Sequence, residues 1–224
     1  MKDSVLLLLN EMREKMSAYA VQYGYYLNNL CVKAEAAALL PVEVKVPGSP
    51  AVNIEDVAMA GLLDDYNYFI YPKNKAMMPF IEEGIKKVHP EFELSHGKLE
   101  DAPDDNNEQI IAKVPPVDDD RNKQLTEAVK NLTEVCKTQL DTTSKLYGAR
   151  ITTALLGESG DAQKEAKDAM QEICDWHDGL CKKYQENKEE EIKAAHEAWQ
   201  NNGGQQEQKQ DDSKDSAAFT MKMN

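Results

Sequence analysis

Val5, Leu9, Met12, Met16, Tyr19, Tyr23, Tyr26 and Leu30 follow one another at alternating steps of four and three residues. On an α-helix that alternation draws one narrow apolar stripe, the form of a bundle seam. Helix one is predicted to reach Ala38, its packing outweighing Gly24, which costs a helix about 1 kcal/mol relative to alanine. The period returns in Leu125, Val129, Leu132, Cys136, Leu140, Thr143 and Tyr147, and again in Ala166, Met170, Ile173, His177, Leu180, Tyr184 and Ile192. Gly157 and Gly160 supply a turn between these two helices, with Ser159 or Asp161 as the cap of the third. An isolated exposed helix has no use for a seam, so the three are predicted to pack on one another.

Between the first and second stripes the texture changes. "VEVKV" at 42 to 46 alternates strictly, "NYFIYP" at 67 to 72 and "IIAKV" at 110 to 114 read as strands, and "MMPFIEEGIKKV" as a short helix with Pro79 in its first turn. "SHGKLEDAPDDNNEQ" has turn chemistry and reads as a loop. At "KVPPVDDDRNKQL" two prolines end the extended stretch, and three carboxylates favour the positive end of a new helix. The predicted fold class is therefore α+β: a long three-helix bundle from residues 1–40 and 118–199, with a small β/α/β domain inserted at 41–117. Residues 200–224 are polar and low in complexity, and are expected to be disordered.

Composition narrows the function. At 224 residues and 41% hydrophobic content the chain can build a real core, but a net charge of −14 repels phosphate at long range, so nucleic-acid binding needs a local basic face. The run "VLLLL" at 5 to 9 is too short for a signal peptide or a membrane span, so neither membrane insertion nor a targeting peptide is read. Cys31, Cys136, Cys174 and Cys181 form no CxxC pair and have no histidine at ligand spacing. No metal, cofactor or catalytic group is expected, and the cysteines read as packed thiols in a reducing compartment. His177 sits on a seam and reads as a core histidine. His89, His96 and His196 show no partner pattern, and the Tyr19, Tyr23, Tyr26 ladder reads as bundle core.

A three-helix bundle interrupted after its first helix is uncommon. "FIYPKNKAMMPFIEEGIKK" at 69 to 87, "IIAKVPPVDDDRNKQLTEAVK" at 110 to 130 and "GDAQKEAKDAMQEICDWHDGLCKKYQENKEEEI" at 160 to 192 resemble the corresponding segments of the ribosome recycling factor family. The resemblance implies a non-enzymatic translation factor that binds the ribosome after termination and, with a translocase-type GTPase, helps separate the subunits. It implies a hinge at Pro41, Pro115 and Pro116, and contacts to ribosomal RNA from basic residues, here Arg121, Lys123, Lys130, Lys137 and Lys145. The family's helix-one arginines fall on "LCVKAEA" at 30 to 36, where Lys33 is the one cation, and Asp141 and Ser144 stand where the family has arginine. That pattern keeps two functions open: a divergent recycling factor, or the same fold serving as an accessory subunit of a protein assembly without RNA binding. The expected site of action is the mitochondrial matrix in a eukaryote and the cytoplasm in a bacterium.

Overall fold

The computed structural model describes residues 2–98 and 108–202. The chain divides into two compact units, one built from Met1–Leu30 with Asn122–Lys193, the other from Cys31–Arg121 with the chain from Ala194 onward.

The first unit is a three-helix bundle of α1 (Asp3–Asn28), most of α4 (Asp119–Ala154) and most of α5 (Gly160–Asn201). Its core is the set of stripes, shifted by one residue in places. In α1 the buried line runs Val5, Leu9, Met12, Met16, Ala20, Tyr23, Leu27, so Tyr19 is half-buried and Tyr26 exposed where both were expected in the seam. In α4 Thr133 replaces Leu132, and in α5 Cys181 replaces Leu180. A straight helix at 3.6 residues per turn drifts against a strict 4-3 alternation, and two steps of four in succession correct the drift.

Polar groups tie the seams together. The Tyr23 hydroxyl meets Thr133 Oγ1 at 2.7 Å between α1 and α4, and Cys136 and Cys181 bring their sulfurs to 3.2 Å between α4 and α5. His177 is the core histidine expected. Its Nδ1–H donates to the Ile173 carbonyl at 2.7 Å, which leaves Nε2 to accept from the Ser17 hydroxyl of α1 at 3.0 Å. Gly24 is explained by close approach, since a Cβ there would lie 3.2 Å from the Tyr184 ring. Ser159, one of the two caps foreseen, accepts the Ala162 N–H at 3.3 Å, and Gly157 turns the chain before it at φ +82.

α1 ends at Asn28, ten residues before Ala38. Leu30, Cys31 and Val32 follow consecutively instead of at helical spacing, and Ala36–Leu39 forms a separate 3-10 turn. Cys31, Ala34, Ala38 and Leu39 pack into the core of the second unit, which is why that unit begins at residue 31 and not at 41.

In the second unit, β1 (Glu43–Val44) and β2 (Val52–Asn53) form a small hairpin followed by a single helical turn, α2 (Ile54–Val57). The main sheet is antiparallel in the order β3 (Ala58–Leu62), β4 (Asn67–Pro72), β6 (Glu108–Lys113), β5 (Glu93–Lys98). α3 (Met78–Val88) turns Met78, Ile81 and Ile85 into a core with Tyr68, Ile70, Phe92 and Ile110. β2, β3 and β5 are additions to the expected strands. Ser95–Lys98 and Glu108–Gln109, read as loop, pair as strand residues, while 99–107 lie outside the described residues. At the far end Gln200 and Asn201 are still helical, and the rest of the tail expected to be disordered, from 203 on, lies outside them as well.

Candidate nucleic-acid interface

The helix-two cations stand on α4 because the junction starts that helix cleanly. Pro115 and Pro116 hold the chain extended, Val117 is buried, and Asp118 caps the helix by accepting the Arg121 N–H at 2.7 Å. Lys123, Lys130, Lys137 and Lys145 are all exposed and, at steps of seven, seven and eight, share one face of the helix. Glu127, Glu134 and Asp141 occupy the same face between them, also exposed. The outward stripe therefore alternates in sign along its length. Lys145 Nζ lies 2.6 Å from Asp141, one turn away, so that carboxylate screens the cation it precedes.

Lys137 and Asp141 also line a cleft of about 480 Å³ between α4 and α5, with Ser144, Cys174, Asp178 and Lys182 among its walls. Ser144 accepts the Cys174 thiol at 3.3 Å. Lys137 and Lys182 balance Asp141 and Asp178, and Met16, Leu140 and Cys181 make the rest of the lining largely apolar.

Arg121 is placed differently from the lysines. It is half-buried, its Nη2 donates to the Cys31 carbonyl at 2.7 Å, and its Nε is buried with no acceptor among the described residues. Burial lowers its pKa, opposed by the nearby Glu91, Cys31 and Asp118. A guanidinium turned inward to a backbone carbonyl is a fold contact, with little left to offer a phosphate. Lys33 is exposed on the segment between α1 and the 3-10 turn.

Pro41, Pro115 and Pro116, where a hinge is expected, lie within the second unit. Ala34 N donates to Asp65 O at 2.7 Å and Val114 N to Tyr66 O at 2.8 Å, so the incoming and outgoing strands of chain are pinned to one turn. That turn is itself fixed by Asp64, whose Oδ1 accepts the Tyr66 and Asn67 N–H groups at 2.8 Å each. Pro41 lies on the inner side of its pin, beside buried Leu39 and Val42, whereas Pro115 and Pro116 lie just outside theirs.

One group of residues drew no notice in the sequence because its members are far apart in the chain. Cys31, His89 and Glu91 bring a thiol, an imidazole and a carboxylate within 4.8 Å of one another. His89 Nδ1 is 3.8 Å from Cys31 Sγ and 3.3 Å from Glu91 Oε1, and Nε2 is 2.7 Å from the Ala38 carbonyl. Burial works against a charged ring, but the hydrogen bonds to Cys31 and Glu91 prevail and push the His89 pKa up to about 10. His96 and His196 also have carboxylate partners, Glu82 and Asp119 respectively. The adjacent "HPE" was the available signal for the cluster; its cysteine, 58 residues earlier, carried none.

A bundle whose first helix is separated in the chain from the other two by a small antiparallel domain is the α+β architecture of the recycling-factor class. A sequence model of that family, described as ribosome recycling factor, matches residues 27–192. The chain belongs to the ribosome recycling factor family. It is 28% identical over 172 residues to the ribosome-recycling factor of Christiangramia forsetii, covering 76% of this chain and 87% of that one. It is 27% identical over 164 residues to the chloroplastic ribosome-recycling factor of Oryza sativa subsp. indica, covering 71% of this chain and 57% of that one. A solution structure of ribosome recycling factor superposes with a TM-score of 0.68 at 19% identity, over 87% of this chain and all (100%) of the other. The T. thermophilus factor, described together with E. coli elongation factor G bound to the E. coli post-termination complex, gives a TM-score of 0.54 at 21% identity, over 84% and 98%. At those identities the two structures bear on the fold.

Proposed function

We propose that this protein acts in translation as a divergent ribosome recycling factor, binding the ribosome after termination and aiding subunit separation with a translocase-type GTPase. The observation that carries the reading is the family match over residues 27–192, which takes in elements of both compact units. The protein acts by binding and catalyses no reaction of its own. Lys123, Lys130, Lys137 and Lys145 are the candidate contacts to ribosomal RNA, supplemented by Lys33; Arg121 serves the fold. Reorientation of the two units takes place at residues 29–30 and at Pro115–Pro116, outside the pins at Ala34 and Val114, with Pro41 carried along inside its unit. The chloroplastic relatives make an organelle a natural setting, and in a eukaryote without plastids that is the mitochondrial matrix.

A second reading, an accessory subunit of a protein assembly, is favoured by the interleaved acid on α4. Glu127, Glu134 and Asp141 oppose phosphate wherever a lysine attracts it. Co-sedimentation with ribosomes across a salt series separates the two. RNA binding predicts a fall of log K against log salt with a slope of roughly −0.7 to −0.9 for each phosphate contact. Lys137→Glu with Lys145→Glu abolishes it, and Asp141→Arg strengthens it. No co-sedimentation at low salt, even with Asp141→Arg and Ser144→Arg combined, overturns the recycling function and leaves the assembly role.

A further inference from the structure

We infer that Cys31, His89 and Glu91 form a binding site for a divalent transition-metal ion, with zinc the best fit to a mixed sulfur, nitrogen and oxygen donor set. The surroundings of His89 set its tautomer. A backbone carbonyl can only accept, so the 2.7 Å contact to Ala38 fixes a proton on Nε2 and leaves Nδ1 as the ring atom facing the other two groups. A carbonyl behind a ligating imidazole is the arrangement that orients histidines in metal sites. The ring is 1% exposed and stacks on Phe92 at 4.4 Å between centroids, so it is held in place before any ion arrives.

Distances agree with the same reading. Donors around a tetrahedral zinc, at about 2.3 Å for sulfur and about 2.0–2.1 Å for nitrogen or oxygen, stand roughly 3.3–3.6 Å apart. The observed separations from Nδ1 are 3.8 Å to Cys31 Sγ and 3.3 Å to Glu91 Oε1. The Glu91 side chain is 30% exposed, which gives an ion a way in and lets the carboxylate adjust to complete the third edge.

Something positive must sit at this centre, because an imidazole lone pair and a carboxylate oxygen at 3.3 Å otherwise repel. In the metal-free protein a proton on Nδ1, bonded to Glu91, does so. A divalent ion takes its place: three bonds form to the ion, and the Nδ1 proton leaves to solvent together with any proton on the Cys31 sulfur, which binds as the thiolate.

The test uses the full chain, stripped with a chelator and dialysed against zinc, with metal content read by mass spectrometry. The expected result is one zinc per chain, with affinity reduced at least tenfold in Cys31→Ser and in Glu91→Gln and retained in Cys174→Ala. Cobalt in place of zinc should show the near-ultraviolet thiolate-to-metal charge-transfer band, absent from Cys31→Ser. Glu91→Gln guards the test against misfolding, since its side chain is partly exposed and its shape is kept; circular dichroism verifies each variant. No retained zinc, wild-type retention in Cys31→Ser and Glu91→Gln, or a cobalt spectrum without the thiolate band overturns the inference.

Discussion

Tyr68 links the core of the second unit to the segment by which the chain enters it, and alkali should expose that link. Its side chain is fully buried in β4, stacked on Phe92, and its hydroxyl donates to the Glu35 carbonyl at 2.9 Å while accepting the Glu35 N–H at 2.6 Å. Burial raises the phenol pKa well above its ordinary value of 10.0, and the Glu35 N–H offsets only part of that rise. A tyrosine whose folded pKa is raised stays protonated in the fold while the unfolded chain ionises. Its contribution to stability is therefore complete below about pH 10 and is lost as pH rises above it, by about 1.4 kcal/mol at pH 11. Tyr68→Phe removes the hydroxyl and leaves two backbone groups of Glu35 short of a partner, at a cost of about 1–3 kcal/mol near neutral pH. The gap in stability between wild type and Tyr68→Phe should thus be constant from pH 7 to 9 and shrink by about 1.4 kcal/mol by pH 11. Urea titrations followed through the methyl resonances of Ile70 and Ile110, which pair in the same sheet, read this unit alone. A gap that holds constant through pH 11 refutes the argument that Tyr68 is protonated in the fold and ionised outside it.

The other expectations are simpler. Gly84→Ala should destabilise the second unit despite alanine's better helix propensity, because the new Cβ would lie 2.6 Å from the Glu43 carbonyl oxygen; overpacking of this kind costs typically about 1–3 kcal/mol. Gly179→Ala, in the interior of α5 with open space around it, should stabilise by about 0.5–1 kcal/mol, and thermal unfolding of the pair should show opposite signs. Asp118→Ala should cost about 1 kcal/mol by uncapping α4, visible as faster amide exchange in its first turn. Lys145→Ala should leave stability unchanged within error, since the pair with Asp141 is exposed at both ends, while weakening any binding to ribosomes.

The helices were legible because their signal is repetitive. Each seam repeats enough times for the period to survive single substitutions, and Ser159, Asp118 and Pro79 mark starts by local chemistry alone. The end of α1 was not legible. Ala36, Ala37 and Ala38 have high helix propensity, and only the competing burial of Ala34, Ala38 and Leu39 in another core explains why the helix stops at Asn28. β3 and β5 escaped notice for a similar reason. "AMAGL" and "ELSHGK" have glycine and little alternation, and become strands because β4 and β6 offer them edges to pair with.

The charge pattern of the candidate interface shows the same division between local and spatial information. That Lys123, Lys130 and Lys137 lie seven residues apart is visible in the sequence, and so is the acid between them. What the sequence does not reveal is that Arg121, two residues before Lys123, is drawn into the fold by the Cys31 carbonyl. With that arginine withdrawn, attraction for phosphate rests on lysines, which lack the planar fork of donors that makes arginine a bidentate phosphate ligand. Each of these lysines also shares its stripe with a carboxylate one turn away. Asp141→Arg removes one such carboxylate, frees Lys145 from its 2.6 Å partner and adds a fork donor at the lip of the α4–α5 cleft. It should therefore raise affinity by more than Ser144→Arg, which adds a cation without freeing another, and the order of those two effects tests whether the stripe on α4 contacts RNA.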